Sequence, residues 1–168
     1  MIAWRATARA IACTALALVL STGTASAQQY LPAASLQVAS GAEGGGKLLQ
    51  RARTRLRLGL ELRIDEEPDN AVSFAALVDI EPRTALGGEL RYVRAVTPHL
   101  AVSGGGIAYF VPGTLLGPCA GAEVRIPLGK KMFLSVGPDV AVFAFGSDLP
   151  DRIIVWQALL QAGLRVDL

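Results

Sequence analysis

The chain is poor in the residue types that usually carry chemistry. Its 168 residues include one histidine and two cysteines, and only 6% are aromatic. One histidine, His99, cannot supply a histidine-based metal cluster. A long hydrophobic run is also missing. The longest, "AIACTALALVL" from Ala10 to Leu20, is well short of the roughly 20 apolar residues of a membrane-spanning helix. After Gln28 no stretch carries the 3.6-residue apolar period of a hydrophobic helix.

The short apolar run reads as part of a secretory leader. Arg5 and Arg9 precede it, and "ASA" from Ala25 to Ala27 is a small-residue cleavage site before Gln28. We therefore expect residues 1–27 to be a cleaved signal peptide and residues 28–168 to form one domain of ordinary size. Cys13 comes too early, and is followed by too many apolar residues, to be an acylated lipoprotein cysteine.

Removing the leader also removes the excess of positive charge. Two of the 16 basic residues leave with it, so 14 remain against 14 acids. A nucleic-acid binder would carry a basic excess, so no nucleic-acid partner is expected. Only Cys119 then remains, which excludes an internal disulfide in an exported protein.

What the domain does contain is alternation. In "RARTRLRLGLELRID", Ala52, Thr54, Leu56, Leu58, Leu60, Leu62 and Ile64 share one side. Arg51, Arg53, Arg55, Arg57, Gly59, Glu61, Arg63 and Asp65 share the other. Period two is the signature of a strand with one apolar and one polar face. Similar patterns predict strands over 33–40, 51–65, 71–81, 84–96, 100–111, 119–128, 132–145 and 153–168. In the seventh, Gly137 and Pro138 invite a bulge that would change the register, and Phe143 and Phe145 conflict with an otherwise polar face.

Most of these strands have eleven residues or more, whereas globular strands average about 5–6 and tilted membrane strands need about 9–11. The connections alternate. "EEPDN" (66–70), "TPH" (97–99) and "GKK" (129–131) are compact; "GAEGGGK" (41–47), "PGTLLGP" (112–118) and "GSDLPDR" (146–152) are longer; the one around Pro82 is short. Tight turns at one end and longer loops at the other are the habit of outer-membrane barrels.

On these residues the sequence resembles the small outer-membrane β-barrels of the OmpA/OmpX type. The most specific piece is the C-terminus "QAGLRVDL", where Gln161, Gly163, Val166 and Leu168 match the pattern by which the barrel assembly machinery recognises its clients. The family prefers a terminal phenylalanine, so Leu168 departs from it. The resemblance implies an all-β fold, an eight-stranded antiparallel up-and-down transmembrane β-barrel in outer-membrane lipid, with both termini in the periplasm and no enzymatic activity. The ladder Arg51, Arg53, Arg55, Arg57, Glu61, Arg63 and Asp65 would then face a narrow lumen. Candidate partners for its arginines are Glu61, Asp65, Asp79, Glu81, Glu89, Glu123, Asp139 and Asp167.

Other signals read as structural. Ser103 lies four residues beyond His99, about 13 Å along a strand, too far for a nucleophile and base. Cys119 has no companion ligand, and Gly104, Gly105 and Gly106 lack the helix and lysine of a phosphate loop. No catalytic, cofactor or metal set is expected. Two other classes stay open: a soluble secreted barrel, lipocalin-like, with its leucines turned inward around a small apolar ligand, and a barrel enzyme that modifies lipid A. Under the membrane reading, Leu58→Arg should lower the membrane-inserted yield more than Arg57→Gln; equal yields would contradict the assignment of faces.

Overall fold

In the computed structural model the described residues are 30–45, 49–64, 67–149 and 153–168. The proposed leader and Asp65 lie outside them. Eight strands follow one another: β1 (Tyr30–Gly45), β2 (Leu49–Ile64), β3 (Glu67–Glu81), β4 (Ala85–Thr97), β5 (Leu100–Val111), β6 (Leu115–Pro127), β7 (Met132–Phe143) and β8 (Val155–Asp167). Each pairs antiparallel with its sequence neighbour, and β1 pairs with β8 to close the barrel.

The registers set its shape. From Ala33 the paired positions run through Glu61, Ser73, Arg91, Gly105, Cys119, Ala141 and Gln157, and return to β1 at Glu43. The path comes back ten residues further along the same strand. A shear of ten over eight strands corresponds to a strand tilt of roughly 40° and an axial rise of about 2.5 Å per residue. Ten residues of strand therefore span about 25 Å, the height of a membrane barrel's apolar band.

Alternation sorts the side chains accordingly. Leu36, Leu58, Leu60, Phe74, Leu90, Val140, Leu160 and Leu164 are exposed on the outer wall. Trp156 and Phe110 are exposed near the loop end; Tyr92, nearer the end that carries both termini, donates to Asn70 Oδ1 at 2.5 Å. Most charged strand side chains face inward, with Glu81 and Arg94 exposed near strand ends. A soluble carrier of an apolar ligand would need the reverse arrangement.

Several expected boundaries are corrected. β1 runs on through Gly41–Gly45, β3 takes in Glu67–Asn70, and β6 begins at Leu115 rather than Cys119. In a closed sheet every strand has a partner on both sides, so pairing carries a strand through glycine- and proline-rich sequence. Consequently three of the four loop-end connections, 46–48, 82–84 and 112–114, are only three residues long, and 144–154 is the one long connection.

The expected bulge at Gly137 and Pro138 is also absent. Gly121↔Asp139 and Val124↔Val136 belong to one register, and pairing to β8 is continuous through both residues. The register shifts fall instead in β2–β3 and β4–β5, at Thr54/Arg55, Arg63/Ile64, Leu86/Gly87 and Ala95/Thr97. Gly137 permits close approach: a Cβ there would lie 1.9 Å from the Ala122 carbonyl oxygen. Phe143 turns inward and is fully buried, whereas Phe145 has left the strand and is exposed. Gly137→Val should destabilise the barrel by about 1–3 kcal/mol or more through overpacking. Urea unfolding in micelles would read this, and Gly129→Val, with open space around it, should leave the midpoint unchanged.

Candidate functional site

Among the described residues polar side chains converge in the lumen, and β2 supplies its spine. At the loop end, Glu43 Oε1 accepts from Arg51 Nε at 2.5 Å. Glu43 Oε2 faces Arg53 at 2.5 Å and Gln157 Nε2 at 2.7 Å. Arg53 also pairs closely with Asp79 Oδ2, whose Oδ1 accepts from Arg55 Nε at 3.0 Å. Arg55 reaches Asp139 at 3.5 Å and bonds closely to Gln157.

The network continues toward the termini. Arg91 joins Asp139 Oδ1 at 2.5 Å to Glu89 Oε2 at 2.7 Å. Glu89 Oε1 accepts from Arg57 Nε at 2.5 Å, and Arg57 donates to Gln37 Oε1 at 2.9 Å and Ser73 Oγ at 3.1 Å. Gln37 reaches Glu123 at 3.4 Å, which accepts from Arg125 Nε at 2.5 Å. Glu61 Oε2 takes Arg165 at 2.5 Å and Arg125 at 3.3 Å; Arg63 pairs with Asp167 at 2.9 Å. The contacts from Arg51 to Arg165 form one continuous chain.

Such a chain follows from burial. An ion left unpaired in a narrow interior would cost several kcal/mol, so each charge has to sit beside an opposite one. The network satisfies charges more than it adds stability, because desolvation offsets most of the Coulomb attraction.

An apolar layer seals the loop end. Leu77, Ile107, Tyr109, Leu115, Phe143 and Val155 are buried together there, and Leu149 from the long connection packs on them. Tyr109 lies 5.8 Å from Phe143 between ring centroids, and the Arg53 and Arg55 guanidinium carbons sit 5.8 and 5.6 Å from its ring. That distance is within cation–π range. Ser147 and Thr114 exchange hydrogen bonds at 3.0 and 3.1 Å, and Arg83 pairs with Asp148, so the long connection is held across the mouth.

Of the ladder residues, Arg51, Arg53, Arg55, Arg57, Glu61 and Arg63 all enter ion pairs. Glu81, a candidate partner, instead sits exposed at the end of β3 and accepts only from Thr54 at 3.5 Å among the described contacts. Glu43 was missed because it lay in a stretch taken for a loop. Continuing the alternation from Gln37 would have placed it on the inner face. Tyr109 and Phe143 were missed as a seal because apolar inward residues look like breaks in the pattern.

The C-terminal residues serve the closing seam. Gln161 is buried in the lumen, and a Cβ on Gly163 would lie 2.1 Å from the Leu36 carbonyl oxygen. Val166 pairs with Ala34 across the seam, and Leu168 N–H donates to the Pro32 carbonyl at 2.9 Å. His99 is exposed in its turn with Nδ1 3.3 Å from the Arg125 carbonyl oxygen, while Ser103 accepts from Arg91 at 3.4 Å. Among the described residues no three His, Cys, Asp or Glu side chains are grouped to hold a metal.

These features define an outer-membrane-type eight-stranded barrel with a salt-bridged interior. No family model matches the chain, and no curated protein is similar to it in sequence. Solved structures do share its fold. The neisserial surface protein A, NspA, superposes with a TM-score of 0.54 at 12% identity, over 82% of this chain and 97% of that one. A designed transmembrane β-barrel covers 82% of this chain and 95% of its own, with a TM-score of 0.46 and 11% identity. The chain thus shares the barrel fold of NspA.

Asp79→Ala leaves Arg53 and Arg55 short of a shared carboxylate and should cost about 3–5 kcal/mol. Arg63→Ala, at the rim, should cost about 1 kcal/mol or less by the same urea titration.

Proposed function

We propose that this chain is an integral outer-membrane protein, exported by residues 1–27, with a structural role in the envelope and no catalytic activity. The observation that carries this reading is the sorting of faces: a wall of exposed leucine, valine and aromatic side chains surrounds an interior whose acids are engaged by arginines. Only a lipid environment makes that arrangement favourable, because apolar area outside is then not exposed to water.

In this reading both termini and the tight turns face the periplasm, and the 144–154 connection faces outward. The apolar seal makes the barrel a poor conductor. The short connections leave little free chain for partners, so a surface interaction would be centred on the long connection, held through Ser147, Asp148 and Leu149. Gln161, Gly163, Val166 and Leu168 act as the signal for the barrel assembly machinery, and outer-membrane lipid is the surrounding partner. Each described lumen carboxylate is engaged by at least one arginine, which favours a structural role over lipid A modification.

Membrane fractionation with heat-modifiable gel mobility tests the proposal. The protein should stay in the outer-membrane pellet through carbonate washing, and unheated samples should migrate differently from boiled ones. Release into the wash would defeat the membrane reading. A change in lipid A mass that depends on this protein would replace the structural role with an enzymatic one.

A further inference from the structure

The two halves of the lumen differ in their access to water. Toward the loop end, Arg51 at the rim keeps 34% of its side chain accessible, but the Glu43 and Asp79 side chains beneath it have no accessible surface. Toward the termini, Glu123 keeps 17% and Glu61 12% of its side chain accessible, and so does Arg57 (12%) although it lies near mid-wall. These three residues line a cavity of about 30 Å³ with Ser35, Ser103 and Arg165.

The cavity also contains unmet hydrogen-bonding groups. Arg91 Nε and Arg165 Nη2 have no partner, nor does Glu61 Oε1. Both arginines are more than nine-tenths buried, and all three residues line the cavity. Two cationic donors and one carboxylate acceptor, on residues that line this polar space, suit small molecules that can both accept and donate. At about 10–15 Å³ each, the volume takes roughly two waters.

We propose that the lumen is a one-ended vestibule. Water and water-sized solutes enter from the end bearing the termini, hydrogen-bond to Glu61, Arg91 and Arg165, and reach Arg57. The layer built on Tyr109 and Phe143 stops them from the other side.

Cys119 is a built-in probe of that boundary. It belongs to the sealed layer, and it pairs with Gly105, two residues nearer the loop end than Ser103. Solute coming from the loop end would have to pass the level of Cys119 before reaching Ser103.

The test uses the full chain in a Cys13→Ser background, folded in micelles, with silver ion as a water-sized thiol reagent. Reaction replaces the thiol proton with silver and is read by mass. In one protein Cys119 is the sole thiol; in the other, Cys119→Ser is combined with Ser103→Cys. The Ser103→Cys thiol should react at least about tenfold faster than Cys119, and both should react fully after unfolding. Equal rates in the folded state would remove the seal, and protection of both thiols until unfolding would remove the vestibule. Either result overturns the proposal. Ser35→Cys, on another wall of the cavity, serves as the probe where Ser103→Cys does not fold.

Discussion

Everything in this barrel depends on closing the β1–β8 seam. A backbone group unpaired in lipid costs several kcal/mol, so a membrane sheet has no tolerable edge. Closing eight strands with a shear of ten leaves an interior just wide enough to be filled by side chains. The close strand contacts at Gly137 and Gly163 follow from that curvature, since a Cβ at either position would overlap the neighbouring backbone.

The narrow bore in turn dictates how charge is handled. Eight described arginines point inward (51, 53, 55, 57, 63, 91, 125 and 165), and Arg53, Arg55 and Arg91 keep no more than 3% of their side chains accessible. Neutralisation must therefore be local, and the guanidinium group suits it because its several donors bridge two or three acceptors at once. Arg55 contacts Asp79, Asp139 and Gln157 from three strands; Arg57 reaches β1, β3 and β4. The charges therefore link strands distant in sequence across the bore, in addition to the backbone ladder.

The interior is not uniform along the axis. Aromatic and aliphatic side chains pack together toward the loop end, while charged side chains, serines and amides line the space toward the termini. An apolar layer excludes water and strengthens the ion pairs next to it by lowering the local dielectric. The described part of the 144–154 connection joins the seal through Leu149, which packs on the apolar cluster at the loop end.

The sequence by itself determined the class of fold. The alternation from Arg51 to Ile64 could only be a strand, and repetition of such patterns over the chain set their number at eight, because side-chain parity along a strand is a local property. It also identified the arginine ladder as one face. It could not say which face pointed inward, since inverting a barrel preserves the alternation; that was decided by packing of the closed barrel. The sequence likewise left Glu43 in a loop and Phe143 as a contradiction. Strand ends, the partner of each arginine and the division of the lumen depend on which residues the shear brings to the same height, and those residues lie far apart in the chain.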